Sequence, residues 1–123
     1  MSAKGMFEVN LEPQKDEHTP AGRMIIQKIY SGDLVGSGIG QMISKKTDAG
    51  SAIYYAIEEF TGNINGKNGA FTLIHKGLMN KESQSLDVMI MEGSGEGELK
   101  NISGSMSITQ NAENHTYELN YKL

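Results

Sequence analysis

Apolar and polar residues take turns along most of this chain. Phe7, Val9 and Leu11 alternate with Glu8, Asn10 and Glu12, and His115, Tyr117, Leu119, Tyr121 and Leu123 alternate with Thr116, Glu118, Asn120 and Lys122. A period of two sends successive side chains to opposite faces of a β-strand. Followed between turn residues, this period predicts eight strands: Lys4–Leu11, Arg23–Tyr30, Leu34–Ser44, Ala52–Thr61, Ala70–Met79, Ser85–Glu92, Ile102–Gln110 and His115–Leu123. Glycines recurring at short intervals from Gly32 to Gly77 point the same way, since each interior glycine costs a helix about 1 kcal/mol.

The breaks have their own chemistry. Both prolines, Pro13 and Pro20, fall in the polar stretch Glu12–Gly22, which reads as the one long, mobile loop. Ser31-Gly32-Asp33 and Asn111–Asn114 read as turns, and Gly62–Gly69 is the clearest turn, because Asn and Gly tolerate positive φ. Gly93–Asn101 reads as a loop with one helical turn at Glu98–Asn101. Eight successive strands with short connections predict an all-β fold: a single eight-stranded antiparallel barrel over residues 1–123, closed because closure removes exposed sheet edges. An open sandwich is the alternative. A barrel of about eight strands has an interior that side chains fill or that holds one small ligand.

Placing Phe60 opposite Leu73 across the Gly66 hairpin sets Glu58 opposite His75, Ala56 opposite Gly77 and Tyr54 opposite Met79, all on one face. Phe60, Phe71 and Leu73 mark that face as the inner one. On the second strand Met24, Ile26, Lys28 and Tyr30 share a face. On the third, Gly36, Gly38 and Gly40 interrupt the face of Leu34 and Met42 and delete side chains from the inner wall. The inward set therefore gathers Lys28, Tyr30, Tyr54, Glu58, His75, His115, Tyr117 and Tyr121 among apolar neighbours. A few polar groups in an apolar lining suit a small, partly apolar ligand. Glu58 and His75 form the candidate catalytic pair, a carboxylate and an imidazole placed to move a proton. The plain alternative is a buried Lys28–Glu58 pair with His75 bonded beside it, holding register. A hollow and a filled interior are equally compatible with the glycine-cleared wall.

Eleven basic against fifteen acidic residues give a net charge of −4, which excludes the broad positive surface that nucleic acid or an anionic membrane would need. Cysteine is absent, so no disulfide, thiolate nucleophile or cysteine metal site forms. The first residues carry no apolar signal core, and the longest nearly apolar run, Ala52–Ile57, is too short to span a bilayer. A cytoplasmic location follows as the expectation, and Asn101-Ile102-Ser103 and Asn114-His115-Thr116 then carry no glycosylation meaning. Gly36-Ser37-Gly38-Ile39-Gly40 and Gly93-Ser94-Gly95-Glu96-Gly97 lack the spacing and the following helix of phosphate loops. His18, His75 and His115 lack metal-ligand spacing, so neither a metal nor a cofactor is expected.

Several motifs occur in one order: Gly22-Arg23-Met24, Tyr30-Ser31-Gly32-Asp33-Leu34, Gly40-Gln41-Met42, Thr61-Gly62-x-x-x-Gly66, His75-x-Gly77, Gly93-Ser94-Gly95-Glu96-Gly97-Glu98-Leu99 and His115-x-Tyr117-x-Leu119-x-Tyr121-x-Leu123. Over nearly the whole chain this resembles an uncharacterised bacterial family of domains of unknown function, number 3224, itself similar to the allene oxide cyclase-like barrel. The resemblance implies the barrel and assigns no catalytic residue. Glu96, Ile25 and Ile74 depart from the family pattern, and the two isoleucines add apolar surface to the outer face. The expectation is thus a barrel that binds a small, partly apolar molecule; if it is an enzyme, cofactor-free isomerisation or cyclisation is the chemistry expected. The alternative is a filled barrel that forms a homodimer through its outer isoleucines.

Overall fold

The computed structural model describes residues 1–111 and 114–123; Ala112 and Glu113, in the predicted Asn111–Asn114 turn, lie outside the described residues. The strands are β1 (Ser2–Gln14), β2 (Gly22–Gly32), β3 (Leu34–Lys46), β4 (Ala52–Ile64), β5 (Lys67–Met79), β6 (Gln84–Ile90), the two-residue β7 (Glu96–Gly97), β8 (Ser103–Gln110) and β9 (His115–Lys122). Each of the eight long strands pairs antiparallel with its neighbours in the order β1-β2-β3-β4-β5-β6-β8-β9, and β9 returns to β1. The closed meander agrees with the alternation in the sequence. Among the described residues no helix is long and apolar enough to cross a membrane.

Four departures from expectation bear on the architecture. β1 continues through Pro13 to Gln14, so the connection to β2 is 15–21 and not Glu12–Gly22. Among the described residues this strand pairs beyond Phe7 only with β2, and an edge strand tolerates a residue without an N–H. The short connection is held by the Arg23 guanidinium, which donates to both carboxylate oxygens of Asp16 at 2.8 and 2.9 Å. β6 stops at Ile90, before Glu92. Glu98–Asn101 is a pair of tight turns (Leu99 N–H to the Glu96 carbonyl, Ile102 N–H to the Leu99 carbonyl) with no helix.

The fourth correction concerns register. Strands β4 and β5 run on to Ile64 and Lys67, which leaves only Asn65-Gly66 as the turn. Both residues have positive φ, 49° and 92°, the requirement of a type I′ hairpin. Phe60 therefore lies opposite Phe71, Glu58 opposite Leu73, Ala56 opposite His75 and Tyr54 opposite Gly77, two residues from the expected pairing. An even shift keeps every side chain on its face. Glu58 and His75 stay inside and become diagonal neighbours.

The two ends of the barrel differ. At one end Leu34, Ile64, Leu99, Ile102, Leu119 and Tyr121 are all buried. The segment 91–102 folds over this end, tied down by β7, whose residues pair with Gly69 and Ala70 of β5. Tyr117 fastens it from inside: its hydroxyl accepts from the Leu34 N–H at 2.8 Å and donates to the Ser31 carbonyl at 2.9 Å. Below this plug, aromatic rings pack edge and face, Tyr30 to Phe60 at 5.3 Å and Phe60 to Phe71 at 5.0 Å. At the other end the inward-facing Met24, Met42, Tyr54 and Ile108 are only half-buried, and Leu11, Met79 and Leu86 are exposed. This end is open and apolar. One wall is also thin: among the described residues the β6–β8 ladder consists of Val88–Met106 and Met89–Ser105, whereas β6 pairs with β5 at seven positions from Leu73–Ile90 to Met79–Gln84.

Candidate functional site

The cluster between the two ends begins with missing side chains. On β3, Gly38 stands between Lys28 of β2 and Phe60 of β4, and Gly40 stands between Ile26 and Glu58. With no side chain on the intervening strand, groups from β2 and β4 reach across and meet. A side chain at Gly38 would run into the Glu58 carboxylate and crowd the Tyr30 ring. The space that the sequence suggested as a chamber is here occupied by that carboxylate.

Glu58 is the centre of the cluster. Its Oε1 accepts from Lys28 Nζ at 3.0 Å and lies 2.9 Å from His75 Nε2; its Oε2 accepts from the Tyr30 hydroxyl at 2.5 Å. Lys28 also lies over the Phe7 ring, 4.4 Å from its centroid. Glu58 is 1% exposed and His75 5%. Burial by itself would raise the Glu58 pKa, but the His75 hydrogen bond, the Lys28 charge and the Tyr30 hydroxyl outweigh it and hold the group down at about 2. Burial, and then the Glu58 charge and hydrogen bond, push the Tyr30 hydroxyl well above its ordinary value, so Tyr30 remains a donor. An ionised carboxylate only accepts, so His75 presents Nε2–H to it.

The pKa of Glu58 has a consequence for folding. The group is held below its ordinary 4.5, so its stabilisation is complete above that pH and fades as the pH falls toward about 2. The difference corresponds to about 3 kcal/mol. Urea midpoints measured from pH 5 to pH 2 should fall steeply for the parent protein and visibly less for Glu58→Gln; equal slopes would refute the assignment.

The other sequence-predicted residues divide between the ends. Tyr117 and Tyr121 belong to the closed end, where Tyr121 accepts from the Asn65 side-chain amide at 2.9 Å. His115 is half-buried and stacks on Phe7 at 5.1 Å. Tyr54 is half-buried at the open end with its ring over Gly77, and burial raises its pKa. Thus Lys28, Tyr30, Glu58 and His75 converge, and among the described residues the other four make no hydrogen bond to Glu58. Among the described residues no group of three or more His, Cys, Asp or Glu side chains is placed to hold a metal. Sequence reasoning missed Phe7 as the partner of Lys28. Its alternation with Val9 was visible, but its neighbour depended on the β1–β2 register, which the misread loop concealed.

The family described as "Protein of unknown function (DUF3224)" matches residues 3–121. The chain belongs to the DUF3224 family. It is similar to a DUF3224 protein of unknown function from Shewanella oneidensis MR-1, whose crystal structure superposes with a TM-score of 0.93 at 33% identity, covering 100% of this chain and 96% of that one. No curated protein matches the chain. Membership in DUF3224 agrees with the barrel and names no activity, so function is argued from the site.

Proposed function

We propose that this barrel binds a small, partly apolar molecule through its open end. The asymmetry of the interior carries the reading: one end is plugged by buried side chains, whereas Met24, Met42, Tyr54 and Ile108 face inward at the other and stay half-buried. Lys28, Tyr30, Glu58 and His75 form the polar floor of this mouth, with Tyr54 and His115 at its side; Tyr117 and Tyr121 support it from the closed end. Methionine lines adaptable apolar surfaces well. The same floor supports cofactor-free proton transfer, of the isomerase or cyclase kind that a resemblance to the allene oxide cyclase-like barrel suggests. In that chemistry His75 exchanges the proton. Glu58, held ionised with both oxygens occupied, orients the imidazole. A chain without cysteine suits a reducing compartment such as the cytoplasm.

A second reading rests on the outer wall. Ile57, Ile74 and Met89 are consecutive cross-strand neighbours, and Ile57 is 61% and Met89 55% exposed. A shallow hollow of about 450 Å³ on this wall is lined by Arg23, Ile43, Tyr55, Ile57, Ile74 and His75. Such a stripe suits a homodimer. Native mass spectrometry of gently purified protein separates the two readings. The first expects a chain carrying a small molecule that is released on denaturation and is retained less by Glu58→Gln and His75→Ala. A ligand-free dimer, with both variants behaving as the parent, would overturn the first reading in favour of the second.

A further inference from the structure

Every fully buried side-chain nitrogen or oxygen among the described residues has a hydrogen-bond partner. His75 uses Nε2 on Glu58, and no hydrogen bond engages its Nδ1 among the described residues. Nδ1 therefore borders accessible space, although the residue is more than nine-tenths buried. When the imidazole is uncharged and Nε2 donates to the carboxylate, Nδ1 presents a lone pair. Glu58 stands opposite Leu73, one inward position nearer the closed end than His75. The two ring nitrogens look to different sides of the imidazole, so the free one faces away from Glu58.

The charges around it are already satisfied. The Lys28 ammonium is balanced by Glu58, and the Tyr30 hydroxyl is committed to the same carboxylate. Nothing in the floor is left to meet an anion, and a charged group brought in among Met24, Met42 and Tyr54 would lose its water without compensation. A hydroxyl or N–H donor would satisfy Nδ1. An analogue without one would leave that nitrogen buried and unpaired.

We propose that His75 Nδ1 is the polar anchor of the open end, and that it selects uncharged molecules bearing a hydroxyl or N–H donor on an apolar body. This inference rests on the small-molecule reading above and narrows it. The test uses the full chain at neutral pH with two probe sets: phenol, anisole and benzoate, and 2-naphthol, 2-methoxynaphthalene and 2-naphthoate. Affinity is read by fluorescence or NMR titration. The hydroxyl probe of a set should bind about three- to tenfold more tightly than its methyl ether, the size of one neutral hydrogen bond, and the carboxylate should bind most weakly. In protein labelled with ¹⁵N-histidine, the alcohol should move the His75 Nδ1 resonance and the ether should not. His75→Phe should erase the preference while leaving the ether's affinity within about twofold of the parent's. If that variant does not fold, the parent's affinity ratio and the ¹⁵N signal decide the matter. Equal affinities for alcohol and ether, a carboxylate that binds best, or an unmoved Nδ1 resonance would overturn the anchor and leave the small-molecule reading standing. Failure of all six probes to bind would overturn both.

Discussion

Replacing Glu58 with alanine should cost about 3–5 kcal/mol of folding stability, among the largest losses available from a single substitution here. One side chain holds three others. Without it the Lys28 ammonium remains buried with no counter-charge, and the Tyr30 hydroxyl and His75 Nε2–H lose their acceptor. Most of the loss is the desolvation of groups left behind, since a buried ion pair contributes little beyond what it neutralises. The double variant Lys28→Met, Glu58→Leu should therefore recover a large part of what Glu58→Ala loses. Urea unfolding of the parent, the single and the double variant gives the comparison. A single-variant loss below about 1 kcal/mol would mean that water reaches Lys28 and that the cluster is less enclosed than its burial indicates.

Gly38→Ala should be the most damaging addition of a single methyl group. The new carbon would collide with the Glu58 carboxylate and press on the Tyr30 ring, and the carboxylate is pinned by three partners that all sit inside the wall. Overpacking of this kind costs about 1–3 kcal/mol, and displacing the carboxylate adds to it. The collision depends on Glu58, which makes the expectation sharp. In a Glu58→Ala background the same substitution should cost little, so a double-mutant cycle should return a coupling of about 1–3 kcal/mol. Additive costs would show that Gly38 is needed for its backbone alone.

Much of this architecture is legible in the residues themselves. Strict alternation in β9 and the glycine spacing of β3 announced strands, and the inward faces of β2, β4 and β5 followed from Met24, Phe60 and Leu73. That parity is what brought Lys28, Glu58 and His75 together on paper, and a pairing slip of two residues could not separate them. What remained hidden depended on tertiary context. Pro13 reads as a strand breaker, yet it lies on a stretch of β1 with a partner on one side only, where a missing N–H is tolerated. Gly62–Gly69 offers many turn residues, and only the conformation of Asn65-Gly66 decides which two are used. Alternation also could not tell that Tyr117 and Tyr121 would be spent on the plug, because strand tilt assigns residues of one face to different heights in the cylinder.

The thin wall between β6 and β8 gives the cylinder a weak stave. Elsewhere each pair of staves is laced by many rungs, but among the described residues these two share backbone pairing only at Val88 and Met89. Thermal motion parts a ladder where the rungs are fewest, so this seam is where amide hydrogen exchange in the barrel wall should be fastest.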